Sequence, residues 1–170
     1  GAARFTDKID FELIRNNPKV FWGYSDITFL HTAIGQLANL VTFHGPMLSS
    51  DIAGDDFAEL SANMFEQLFE PTTLTYDESI SELEVLTKGT VKAEIIGGNL
   101  SLLTNSIGTK FEIETSGKIL LIEDIGEEPY RVDGMLNQLR QANKLDSLAG
   151  VVIGDFADAQ STGSKTSFTV

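Results

Sequence analysis

The chain has 170 residues, 42% of them hydrophobic, no cysteine, and a formal net charge of -13. That is enough apolar material for one domain or two small ones, while the missing thiols exclude a disulfide scaffold, cysteine zinc sites and thiol catalysis. The acidity disfavours nucleic acid and anionic membranes as partners, no run approaches the roughly 18 apolar residues of a membrane span, and a cytoplasmic location is expected.

The chain opens at Gly1-Ala2-Ala3-Arg4 without a methionine or a signal-like start. Ile9, Phe11, Leu13 and Ile14 among charges predict a short helix closing at Asn16-Asn17-Pro18. Lys19-Val20-Phe21-Trp22 reads as a buried strand, and Ile27, Leu30, Ile34 and Leu37 recur at helical spacing, so a helix begins at about Ser25. Leu40-Val41-Thr42-Phe43 is a second strand, stopped by His44-Gly45-Pro46. Asp55-Asp56 opens an amphipathic helix carrying Phe57, Leu60, Met64, Phe65, Leu68 and Phe69. From Pro71 to Lys88 the periodicity weakens, as in a connector with one edge strand at Thr73-Leu74-Thr75-Tyr76.

Gly89 begins a second unit, in which Val91, Ala93 and Ile95 alternate as in a strand with one buried face. Gly97-Gly98-Asn99 turns into a helix bearing Leu100, Leu103 and Ile107, with Gly108 at its stop. Lys118–Ile122 is an unbroken apolar run, expected to be a central strand buried on both faces, with Glu123-Asp124 at its C-terminal end. A helix follows from about Pro129 to Asn143 with Val132, Met135, Leu136 and Leu139 inward. Gly150–Gly154 is another buried strand, and Gln160–Val170 is Ser/Thr-rich without a pattern. The alternation predicts an α/β protein of two α/β units with largely parallel sheets: residues 1–70, a connector at 71–88, and residues 89–170.

Ser25, pinched between a strand and a helix, has two readings. It is a nucleophile exposed on a sharp turn, with helix N–H groups aimed at the anion forming beside it. Alternatively it is an N-cap whose oxygen takes the N–H of Ile27 or Thr28; Ile27 stands where Gly-x-Ser-x-Gly has its second glycine. Gly97-Gly98-Asn99 reads as a phosphate cradle or as a tight turn with an N-cap, and no Gly-Lys-Ser/Thr follows. Glu123 and Asp124 sit where an acid orients a histidine, or else open a solvated acidic loop that continues through Glu127 and Glu128. His31 is expected beside the core, and His44 either approaches Ser25 or holds its turn by hydrogen bonds. No spacing resembles a metal site, and no cofactor is predicted.

Four ordered stretches together resemble the LD-carboxypeptidase family of serine peptidases. They are Gly23-Tyr24-Ser25-Asp26-Ile27-Thr28, His44-Gly45-Pro46, Ile96-Gly97-Gly98-Asn99-Leu100, and Leu121-Ile122-Glu123-Asp124 continuing through Glu127 to Pro129-Tyr130-Arg131-Val132-Asp133. The family holds murein tetrapeptide LD-carboxypeptidases, which trim cytoplasmic cell-wall fragments in peptidoglycan recycling, and microcin C self-immunity peptidases. The resemblance implies a Ser-Glu-His triad, with Ser25 as nucleophile, the backbone N–H of Asp26 as an oxyanion donor and Glu123 as the acid. It implies an L,D-peptide bond to a terminal D-alanine as the substrate bond.

There are departures. The family's catalytic histidine lies in a Gly-His motif beyond the segment corresponding to Gly150–Phe156, and neither His31 nor His44 fills that place. Its Arg-Gly-Gly-Tyr-Gly turn belongs before Gly1, and Gly134 stands where a basic residue is usual. The chain is therefore expected to be the middle of a two-domain enzyme, cut at both ends and inactive as given. Alternatives are a microcin-type peptidase, or a non-catalytic binding fragment whose exposed core surface favours a homodimer.

Overall fold

The computed structural model describes residues 1–54 and 59–159. It is a mixed α/β structure with two parallel sheets. Two 3-10 turns, Ala2–Arg4 and Thr6–Lys8, lead into helix α1, Phe11–Asn16, whose first turn is capped by the Asp10 carboxylate accepting the Leu13 N–H. Strand β1 is Trp22–Gly23 and pairs in parallel with β2, Phe43–His44, placing Gly23 opposite His44. Both strands are shorter than expected and begin later; Val20 and Val41 are exposed.

Between them a 3-10 turn over Ser25–Ile27 feeds helix α2, Thr28–Ala38, which ends on Asn39 in the left-handed conformation. After a π-helical turn at Leu48–Ile52 come α3, Glu59–Asn63, and a 3-10 turn, Met64–Leu68. Asp55, Asp56 and Phe57, which the sequence assigns to this helix, lie outside the described residues, and Phe69 lies beyond the turn and is exposed. The edge strand expected at Thr73–Tyr76 does not form, nor does strand begin at Val91. Leu74, Tyr76 and Val91 are exposed, so alternation alone there lacked a neighbour to pair with.

The second sheet has the order β3-β4-β5, all parallel: β3 is Ile95–Asn99, β4 Ile119–Ile125 and β5 Gly150–Ala157. Helix α4, Leu100–Ser106, follows β3 directly, and α5, Pro129–Gln141, connects β4 to β5 with proline at its start. Leu100, Leu103, Leu120, Ile122, Val132 and Leu139 form one core under these helices. Each such side chain contributes roughly 1.5–3 kcal/mol by leaving water.

β4 is central, as expected, but only alternate residues are fully buried. β5 is not the buried strand that its sequence suggests: Val151, Val152 and Ile153 are exposed, and it pairs only with β4 among the described residues. The Ser/Thr-rich stretch 160–170 lies outside the described residues.

Helix α2 joins the two halves. Phe29, Ala33 and Ile34 form a second core that includes Phe111 from the other half. Gln36 donates to the Glu112 carbonyl at 3.1 Å and accepts the Glu114 N–H at 2.7 Å. Thr28, fully buried, accepts the Asn99 N–H at 3.1 Å.

Gly97 and Gly98 do not form a turn or a phosphate cradle; they lie within β3. A Cβ on Gly97 would stand 2.0 Å from the Leu121 carbonyl oxygen, and its φ of +118° disfavours any side chain. Gly97→Ala is therefore expected to cost about 3 kcal/mol or more. Urea denaturation of the full-length protein measures it, and a loss under about 1 kcal/mol would refute the close approach of β3 and β4.

Candidate active site

Ser25 sits on the turn between β1 and α2 with φ +59°. A serine there is strained by roughly 1–2 kcal/mol, since Cβ crowds the backbone in the left-handed region. Its hydroxyl is not an N-cap, which corrects the capping reading: the 3-10 turn and α2 both lack a side-chain cap. The Ile27 N–H goes to the Tyr24 carbonyl, and the Thr28 N–H to the carbonyls of Ser25 and Asp26. Backbone groups satisfy the start of α2 and leave the half-buried Oγ without a hydrogen bond among the described residues.

Glycine at this position avoids the Cβ contact. Ser25→Gly is accordingly expected to be more stable than Ser25→Ala by about 1 kcal/mol. Equal denaturation midpoints for the two variants would argue against strain at Ser25.

Asp26 follows as the second residue of the turn, where a backbone N–H has no acceptor within the helix. Its carboxylate accepts the Ala2 N–H at 2.6 Å and so ties the start of the chain to the serine turn.

Glu123 and Asp124, adjacent in sequence, face opposite sides of β4. Asp124, 4% exposed, turns inward. It accepts from Asn99 Nδ2 at 2.8 Å, the Ser101 N–H at 2.9 Å, Ser101 Oγ at 2.7 Å and the Ile125 N–H at 2.9 Å. Asn99 in turn caps α4 by accepting the Leu102 N–H. Glu123 turns toward the first sheet, where His44 Nε2 faces its Oε1 at 4.0 Å. The pair is not a solvated acidic loop.

Burial, then the neighbouring Asp124 charge, raises the Glu123 pKa above the ordinary glutamate value. Glu127 is held by Arg131 at 2.5 Å and by Ser101 Oγ at 3.3 Å.

The two histidines differ. His31 is buried in α2, and its Nε2 lies 2.8 Å from the Gly23 carbonyl. A carbonyl only accepts, so Nε2 carries the proton and Nδ1, buried without a partner, is a bare lone pair. Burial lowers its pKa, against the pull of the Gly23 carbonyl. The unfolded chain therefore takes up a proton near pH 6.5 that the folded chain resists, so this contribution to stability is lost as pH falls below 6.5.

Glu123 works in the opposite sense, losing its contribution as pH rises above 4.5. The expected result is that His31→Gln narrows the stability difference between about pH 7.5 and about pH 5.5. An unchanged difference would show that His31 titrates normally.

His44 makes no hydrogen bond to hold its turn among the described residues. Its ring instead packs on Tyr24 and His31, with centroids 6.5 and 6.2 Å away. Local pattern pointed to this placement only through a histidine at the end of a parallel strand. Tyr24 donates to Asp51 at 3.5 Å, and Asp51 accepts the Met47 N–H at 2.7 Å, fastening the following loop beside the site. Among the described residues no cluster of His, Asp and Glu could hold a metal ion.

The segments that carry Ser25 and Glu123 each match a known family. The model of the LD-carboxypeptidase N-terminal domain matches residues 1–45, and that of the LD-carboxypeptidase C-terminal domain matches residues 92–169. The chain belongs to the LD-carboxypeptidase family.

It is 57% identical over 156 residues to the "Probable murein peptide carboxypeptidase" of Bacillus subtilis (strain 168), covering 92% of this chain and 49% of that protein. It is 28% identical over 184 residues to the "Microcin C7 self-immunity protein MccF" of Escherichia coli, covering 92% and 54%. The crystal structure of muramoyltetrapeptide carboxypeptidase from Oxalobacter formigenes superposes with a TM-score of 0.79 at 29% identity, over 95% of this chain and 55% of that one. The chain spans about half the length of the curated relatives it matches.

Proposed function

We propose that the full-length protein is a serine LD-carboxypeptidase releasing terminal D-alanine from cytoplasmic muropeptide tetrapeptides, a step of peptidoglycan recycling. The observation that carries this reading is Ser25 at φ +59° between β1 and α2, with its hydroxyl free of any capping role. Strain kept at one serine on such a turn is what presentation of a nucleophile requires.

Ser25 Oγ attacks the carbonyl carbon of the L,D bond, and a histidine from outside these residues takes the hydroxyl proton. Glu123 orients that histidine and stabilises its charged form. The tetrahedral oxyanion receives the Asp26 N–H. Collapse returns the proton to the departing D-alanine amine, and water then hydrolyses the acyl-enzyme by the same steps. Residues 1–70 carry the nucleophile, 71–88 the connector, and 89–170 the acid.

The test is D-alanine release from a muropeptide tetrapeptide, with the 170-residue chain and the full-length protein assayed side by side. Activity confined to the full-length protein is expected; activity in the short chain would place the base within it.

A second reading, hydrolysis of a peptidyl-nucleotide amide, draws on the similarity to the microcin C7 self-immunity protein. Turnover of such an amide without turnover of the muropeptide would favour it. The 57% identity to the murein peptide relative favours the first.

A further inference from the structure

Glu123 offers two carboxylate oxygens, and orienting the general base occupies one. Oε1 is buried and has no hydrogen-bond partner among the described residues. A buried carboxylate oxygen without a donor is costly and rare. The group facing it is His44 Nε2, at 4.0 Å.

Three contacts fix that imidazole. His44 ends β2 in register with Gly23, two residues before Ser25. Its ring packs edge-on to Tyr24 and obliquely on His31. On its far side β3 closes in at Gly98, where a Cβ would stand 3.0 Å from His44 Nδ1 and 2.8 Å from Thr28 Oγ1. The bare backbone of Gly98 thus seats the ring and turns Nε2 toward Glu123.

We propose that His44 is a positioning residue for Glu123, its Nε2–H donating to Oε1 so that Oε2 is left for the general base. This rests on the assignment of Glu123 as the triad acid. At 4.0 Å the pair is longer than a hydrogen bond, and the assignment requires it to shorten when the site is assembled.

The titratable groups around the pair are Tyr24 and His31 from the first half and Asp124 on β4; Asp124 is turned to the other face and saturated by its own donors. Burial, then the His31 charge, disfavours protonation of His44. A neutral ring carries one N–H, and the assignment puts it on Nε2, facing Oε1. One strand supplies the acid and a distant strand the group that aims it, so the active geometry forms only when the two sheets pack.

The experiment uses the full-length protein, labelled with 15N-histidine and with 13C at the glutamate carboxyl, as wild type, His44→Gln and His44→Phe. In the wild type, the His44 nitrogens should report the Nε2–H tautomer. His44→Phe should lower kcat at least about tenfold with KM little changed, and should raise the Glu123 titration midpoint, because the carboxylate loses a donor. His44→Gln, which keeps an N–H, should recover most of both.

An Nδ1–H tautomer in the wild type overturns the proposal even if the variants do not fold, as does a Glu123 midpoint unmoved by His44→Phe. The titration is read without turnover. A Ser25→Ala or Glu123→Gln protein that still released D-alanine would refute the peptidase assignment while leaving the His44–Glu123 contact to be judged by its own signals.

Discussion

Ser25→Ala in the full-length protein is expected to lower D-alanine release from a muropeptide tetrapeptide by about 10³-fold or more, with little change in the thermal midpoint. The size follows from the chemistry. Without Oγ no acyl-enzyme forms, and water must attack unaided, so only the oxyanion donors and substrate positioning remain. The small structural effect follows from the geometry, because the hydroxyl makes no hydrogen bond among the described residues and caps no helix. Activity within about tenfold of wild type would remove Ser25 from the mechanism. A large fall in stability would show instead that the hydroxyl has a structural role.

The largest effect on stability is expected at Asp124, not at the neighbouring Glu123. Asp124→Ala withdraws an acceptor from Asn99 Nδ2, the Ser101 N–H, Ser101 Oγ and the Ile125 N–H together. Asp124 is 4% exposed, so water replaces these contacts poorly. The cost should be about 3 kcal/mol or more, as for other buried groups stripped of a charged partner.

Asn99 also caps α4 and donates its N–H to Thr28, so the damage should reach the contact between the two halves. Chemical denaturation of wild type, Asp124→Ala and Asp124→Asn measures it, with the asparagine variant in between because it keeps one carbonyl acceptor. A cost under about 1 kcal/mol for Asp124→Ala would mean that the network is not what holds the ends of β3 and β4 together.

Much of the architecture was readable from local pattern. The helical spacing from Ile27 to Leu37 and the Pro129 start of α5 describe elements whose apolar face alone decides their form. The alternation at Val91, Ala93 and Ile95 misled, because a strand needs a partner and pairing begins only at Ile95 opposite Ile119. The apolar run Val151–Ile153 misled about burial, since cover over a strand's faces depends on what packs there and not on composition. At the site, Ser25-Asp26 carried two readings that spacing could not separate. The left-handed backbone at Ser25 decides against the cap.

The α/β alternation, the absence of thiol chemistry, the family resemblance, and the candidates Ser25, Asp26 and Glu123 were legible in the chain, because each depends on residue type and short-range order. Packing was needed to show that Glu123 and Asp124 part to opposite faces of β4 and that His44 Nε2 faces Glu123 at 4.0 Å. Packing likewise shows Gly97 and Gly98 as close-packing positions within β3 and not a ligand cradle. Those facts depend on which strands lie side by side and how closely, and the contacts join residues too far apart in the chain for any local pattern to carry them.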